Sequence, residues 1–107
     1  MGLFDFFRTP DINEGVSRYG ATPDAVLLDV RTPEEFRLEG RIPGSRNLPA
    51  EELQRASSLV EDRNTPLFVY CYSGARSSYA VSALRRMGYQ QVTNIGGINR
   101  YRGKVEF

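Results

Sequence analysis

Leu67-Phe68-Val69-Tyr70-Cys71-Tyr72-Ser73-Gly74-Ala75-Arg76-Ser77, continued by Ser78-Tyr79-Ala80-Val81-Ser82-Ala83-Leu84, decides how the rest of the chain is read. A run of apolar and aromatic residues ends in a cysteine, five small or polar residues follow, and a helical pattern begins at about Ser77. The stretch reads as strand, tight loop, helix, with Cys71 at the carboxyl end of the strand. Open α/β sheets place their ligands at that end. A helix N-terminus offers unpaired N–H donors and the positive end of the macrodipole, which together stabilise an anion. The same surroundings make a cysteine nucleophilic.

The chain has 107 residues, 40% of them hydrophobic and 25% charged. These are the proportions of an ordinary globular protein of one domain. A net charge of +1 favours neither nucleic acid nor a membrane surface nor acidic partners. No apolar run reaches the length of a membrane-spanning helix, and no charged start precedes an apolar signal core. Gly2-Leu3-Phe4-Asp5-Phe6-Phe7 is apolar but short, and position 6 lacks the Ser or Thr of a myristoylation signal. Cys71 is the only cysteine, so no internal disulfide is possible and a reducing, cytoplasmic setting is expected. Histidine is absent, which excludes a Ser-His-Asp triad or a Cys-His pair. One cysteine without histidine also argues against a bound metal, and no phosphate-binding or dinucleotide fingerprint calls for a cofactor.

Residues 1–8 read as a lead-in and 9–107 as a single domain. Leu3, Phe4, Phe6 and Phe7 are expected to cap one face of the core, a docking arm being the alternative. Thr9-Pro10 opens a first helix with Ile12, Val16 and Tyr19 on one face, and Gly20 closes it. Ala21 to Asp24 is a turn. Ala25 to Val30 is a continuous apolar run broken only by Asp29, as in a strand buried on both faces of a parallel sheet. Thr32, Pro33 and Glu35 form a capping box for a brief second helix that ends before Gly40. Ile42-Pro43-Gly44 turns the chain, and Arg46 to Leu48 forms a short strand. Pro49 to Val60 is a third helix with Leu53, Ala56, Leu59 and Val60 as its apolar stripe. Glu61 to Pro66 is a polar connection. The fourth helix carries Ala80, Ala83, Leu84 and Met87 and stops at Gly88. Gln91 to Ile95 is the last strand, Gly96-Gly97 a turn, and Ile98 to Tyr101 a short terminal helix. Strands alternating with helices predict an α/β fold with a parallel sheet and right-handed crossovers.

Leu28-Asp29-Val30-Arg31, Glu34-Glu35-Phe36, Gly40-Arg41-Ile42-Pro43-Gly44-Ser45 and Asn47-Leu48-Pro49 resemble the amino-terminal half of a rhodanese domain. Tyr70-Cys71-Tyr72-Ser73-Gly74-Ala75-Arg76-Ser77-Ser78 resembles its active-site loop, and Gly88-Tyr89 with Gly96-Gly97-Ile98 its carboxyl-terminal part. The likeness covers about residues 10 to 103. Arg41 stands where the family usually has histidine before Ile-Pro-Gly, and Tyr101 where it often has tryptophan. The resemblance implies a three-layer fold with a central parallel sheet flanked by helices. It also implies a sulfurtransferase: the cysteine takes a sulfane sulfur from a donor such as thiosulfate, holds it as a persulfide, and gives it to cyanide or a thiol. Cys71 is then the catalytic residue, and Tyr72, Ser73, Gly74, Ala75, Arg76 and Ser77 bind the donor.

The residues themselves point the same way. A thiolate is a soft nucleophile suited to sulfur–sulfur cleavage. Amides from Tyr72 to Ser77 would form an anion-binding nest, and Arg76 would add a planar fork for an oxyanion. Cysteine phosphatases and arsenate reductases use a similar cradle, but place arginine six positions after the cysteine. Here Ser77 holds that position and Arg76 comes one earlier. Several plainer readings compete. Cys71 is alternatively a small buried hydrophobe, Arg76 a solvated helix-start residue, Gly74 mere turn chemistry, and Ser77 and Ser78 helix caps. Asp29 and Arg31 form a structural ion pair, a cap for the next helix, or a support orienting the loop. The basic run Asn99 to Lys104 reads as a solvated end rather than a nucleic-acid site. A different class of function, a persulfide carrier or regulatory module that docks a protein donor or acceptor through Tyr72, has the same motif.

Overall fold

The computed structural model describes residues 10–107, so the expectations for Leu3 to Phe7 and for Thr9 lie outside the described residues. Four strands form one parallel sheet in the order β2-β1-β3-β4: β1 Val26–Asp29, β2 Arg46–Asn47, β3 Leu67–Cys71 and β4 Val92–Gly97. Every residue of β3 is buried. Its side chains alternate between two apolar clusters, as the two-residue period of a strand dictates. Leu67, Val69 and Cys71 face Leu53, Ala56, Val60, Ala80 and Leu84 on one side. Phe68 and Tyr70 face Ile12, Ile42 and Ile95 on the other. Helix α1 (Ile12–Ala21) therefore covers one face, while α3 (Ala56–Leu59) and α4 (Ala75–Arg86) cover the other. The three layers match the expected architecture.

Several boundaries differ from the sequence reading, each for a local reason. Helix α1 is capped by Asp11, whose carboxylate accepts from the Asn13 amide at 2.9 Å, so Pro10 lies ahead of the helix. It runs through Gly20 to Ala21 and stops at Thr22, which precedes Pro23 and is held extended. Helix α2 (Pro33–Leu38) carries the capping box of Thr32 and Glu35 that its sequence announces. The expected third helix is a 3-10 segment, Ala50–Arg55, broken at Glu52 and leading into α3. Leu53, Ala56 and Val60 are nevertheless buried, because spacings of three and four serve either helix type.

Helix α4 starts at Ala75 rather than Ser77, with Gly74 as its N-cap. The change places Arg76 in the first turn and makes neither Ser77 nor Ser78 the cap. The last strand passes through Gly96 and Gly97 instead of turning there. Val69 pairs with Asn94, but Tyr70 pairs with Gly96 and Cys71 with Gly97, so Ile95 is an extra residue that bulges the ladder. The bulge carries β4 alongside the cysteine. Beyond it, Ile98–Arg100 forms one 3-10 turn. Arg41 lays its guanidinium over the Phe36 ring, 4.8 Å from the centroid, and bridges through its backbone to Glu106. Tyr101 packs against the cluster under α1.

Candidate active site

Cys71 ends β3 with 1% of its surface exposed. Two backbone amides point at its sulfur: the Gly74 N lies 3.0 Å from Sγ and the Ser77 N 3.4 Å. The geometry follows from the helix cap. An N-cap side chain ordinarily satisfies an amide of the first turn. Gly74 has no side chain to do so, and the Ser77 amide of that turn is directed at the cysteine sulfur instead. The sulfur thus acts as the acceptor for the open end of α4, where the helix dipole favours negative charge.

Two glycines make this approach possible. Gly74 sits at φ +106°, a conformation that side-chain-bearing residues rarely adopt. Gly97 runs against the loop: a Cβ there would overlap the Tyr72 carbonyl oxygen and lie 2.6 Å from the Ser73 Cα. The Asn99 amide donates to the same Tyr72 carbonyl at 3.1 Å. The Gly96-Gly97-Ile98 segment is thus a wall of the cysteine loop rather than a remote turn.

Of the six loop residues named from the sequence, Gly74 and Ser77 are the ones whose amides reach the sulfur. Ser77 is fully buried and also brings its hydroxyl oxygen to 3.4 Å from Sγ. Tyr72, Ser73 and Ala75 are exposed. Arg76 pairs with Glu35. Its Nη1 and Nη2 donate to Glu35 Oε1 and Oε2 at 2.7 and 3.0 Å, so the fork expected for an oxyanion is occupied by a carboxylate of α2. Glu35 Oε1 also accepts from the Thr32 amide and hydroxyl. The Arg76 hydrogen bonds, with smaller contributions from Thr32 and against the opposing effect of burial, hold the Glu35 carboxyl down to about 2. The sequence identified Glu35 only as a helix cap.

Asp29 and Arg31 are 0% and 1% exposed and belong chiefly to each other. Arg31 donates to the two carboxylate oxygens through its backbone N at 2.9 Å, Nε at 3.0 and 3.1 Å, and Nη2 at 2.7 Å. Its Nη2 also donates to the Gly40 carbonyl at 2.8 Å. Burial alone would weaken the Arg31 charge, but Asp29 more than offsets it and the guanidinium is held above its ordinary value. Asn47 ties the backbone of both residues together, donating to the Asp29 and Arg31 carbonyls at 3.0 Å each. The pair lies at the end of β1, beside the cysteine strand.

Asn94 was not singled out in the sequence. It sits at the β4 bulge, accepts from the Gly96 amide at 2.9 Å, and accepts the Ser77 hydroxyl at 2.8 Å. Its signal was an amide side chain between Thr93 and Ile95 in the last strand, two residues ahead of the glycine pair. Chemically, the site is a buried sulfur in a cradle of backbone donors, one hydroxyl at its side, and nearby cations already matched by carboxylates.

The family model for the rhodanese-like domain matches residues 14–104. Protein YqhL of Bacillus subtilis is 38% identical over 84 residues, 77% of this chain, which spans only 64% of that relative's length. Thiosulfate sulfurtransferase PspE of Escherichia coli is 39% identical over 72 residues, 66% of this chain and 68% of the relative. Among solved structures, a rhodanese with anions from E. coli superimposes with a TM-score of 0.70 at 32% identity, over 77% of this chain and 96% of the other.

Proposed function

This chain belongs to the rhodanese-like domain family, and on that premise we propose that it is a sulfurtransferase working through a persulfide at Cys71. The Cys71 thiolate attacks the outer, sulfane sulfur of a donor such as thiosulfate. A new sulfur–sulfur bond forms as the donor's own breaks, and sulfite leaves with the electron pair. An acceptor, cyanide or a thiolate, then attacks the outer sulfur of the persulfide and the Cys71 thiolate is the leaving group. Neither step changes the net oxidation state or needs a cofactor.

The observation that carries this reading is the pair of amides on Sγ at 3.0 and 3.4 Å. They are fixed before the reaction and stabilise negative charge on sulfur without reorganisation. The arrangement fits phosphoryl chemistry less well. Ser77 occupies the sixth position after the cysteine, and the neighbouring Arg76 is already paired with Glu35. A reducing, cytoplasmic setting belongs to the proposal because the lone cysteine must stay free.

Intact mass after incubation with thiosulfate, with and without reductant, tests it on wild type and Cys71→Ser. A reductant-sensitive gain of one sulfur that the variant lacks supports the persulfide. A gain retained by the variant, or none in wild type with either thiosulfate or a small-molecule persulfide, overturns it.

A further inference from the structure

The Ser77 hydroxyl has one proton and three neighbours that compete for it. Asn94 Oδ1 lies 2.8 Å away, the Gly74 carbonyl 3.1 Å and Cys71 Sγ 3.4 Å. The Gly96 amide donates to the same Asn94 atom at 2.9 Å, which fixes it as the carbonyl oxygen and therefore as an acceptor only. The Gly74 carbonyl already receives the Ser78 amide at 3.1 Å. The Ser77 proton thus rests on Asn94, and a lone pair of its oxygen faces the sulfur.

That arrangement suits a thiol, whose S–H donates to Ser77 Oγ. It does not suit a thiolate, which would face a lone pair at the same distance. When the Cys71 proton leaves to a base in solution, the Ser77 hydroxyl gains by turning from Asn94 to the sulfur.

We propose that Asn94 is a positioning residue that holds the Ser77 proton away from Cys71 at rest, making the hydroxyl a two-position donor that follows the charge on sulfur. Its consequence is protective. The thiolate is the form that oxidants attack, and with its proton on Asn94 the Ser77 hydroxyl does not stabilise that form. The charged groups around the sulfur do not substitute for this control. Arg76 on α4 is matched by Glu35 on α2, Asp29 on β1 is matched by Arg31, and β4 contributes no ionisable side chain. The phenol of Tyr72, in the loop itself, is exposed to solvent.

The inference rests on Cys71 as the reacting group, but its test uses no sulfur donor and so stands apart from the test of sulfur transfer. The pH profile of Cys71 alkylation by iodoacetamide is measured for wild type, Asn94→Ala, Asn94→Asp and Ser77→Ala, and for both Asn94 changes in the S77A background. Removing the resting acceptor in N94A should lower the alkylation midpoint by about half to one pH unit, the size of one hydrogen bond. The shift should vanish in the S77A background. N94D keeps an oxygen for the Gly96 amide and binds the Ser77 proton more strongly, so its midpoint should rise. That rise should be larger with the hydroxyl present than in S77A, where only the added charge acts. A midpoint in N94A that stays or rises overturns the proposal, as does a fall that persists in S77A. If N94A loses its fold through the Gly96 bulge, N94D decides: a rise of equal size in both backgrounds overturns the proposal as well.

Discussion

Arg76 and Glu35, 41 positions apart, are joined by a two-pronged ion pair whose shorter arm is 2.7 Å. The pair connects the first turn of α4, which carries the sulfur cradle, to the capping box of α2. It changes what Arg76 does. A guanidinium that already faces a carboxylate is matched in charge and geometry, and we propose that its contribution is to fix the loop rather than to receive a donor's oxyanion.

Arg76→Ala and Glu35→Gln are therefore expected to behave alike. Each should lower stability by about 1 kcal/mol, the upper end for a partly exposed pair, since the Arg76 side chain is 38% exposed. The double variant should cost less than the sum of the two. Urea unfolding of the four proteins reads the coupling. Sulfur-transfer rates with thiosulfate and with a neutral trisulfide should fall by the same factor in R76A. A loss confined to thiosulfate would return Arg76 to the donor site.

The same pair sets an acid limit. Glu35 is held at about 2, below its ordinary value of 4.5, so the folded protein binds this proton less readily than the unfolded chain does. Its contribution to stability is complete above about pH 4.5 and is lost as pH falls through about 2. Urea midpoints across that window should converge for wild type and Glu35→Gln, with the gap widest above pH 5. A gap independent of pH would mean that the carboxylate charge is not what the pair supplies.

Gly97→Ala tests the wall of the loop. The new methyl would overlap the Tyr72 carbonyl and crowd the Ser73 Cα, and backbone cannot swing aside as a flexible side chain does. A destabilisation of about 1–3 kcal/mol is expected, the range for overpacking. Because the displaced backbone leads straight into the sulfur cradle, alkylation of Cys71 should change in rate as well. Stability lost with an unchanged alkylation rate would show that the strain is absorbed on the β4 side.

Much of this site was legible in the sequence because its parts are local. The strand-loop-helix around Cys71 needs only the apolar run, the glycine and the helical spacing, all within 18 residues. The capping box of Thr32 and Glu35 is likewise contained in four positions. Long-range partnerships were not legible. That Glu35 takes Arg76, and that Asn94 takes Ser77 across 17 positions, depends on the strand order and on one bulged residue in β4. Asp29 and Arg31 stand between these cases. An ion pair was among their readings from the sequence, but only the fold shows that it is buried.

That burial yields the largest effect expected here. Asp29→Ala removes the sole carboxylate hydrogen-bonded to Arg31 among the described residues, whose guanidinium is 1% exposed and retains only the Gly40 carbonyl as a strong acceptor. Stranding one member of a buried pair costs about 3–5 kcal/mol, more than the pair itself stabilises, because the desolvated charge is left unmatched. Replacing both, as in Asp29→Leu with Arg31→Met, removes the unmatched charge and should recover much of that loss. Urea unfolding of the single and double variants distinguishes the two roles proposed for these residues. If the double variant regains stability and its Cys71 still loads sulfur, the pair serves the fold alone. Regained stability with lost loading would show that Asp29 and Arg31 also shape the loop beside the cysteine strand.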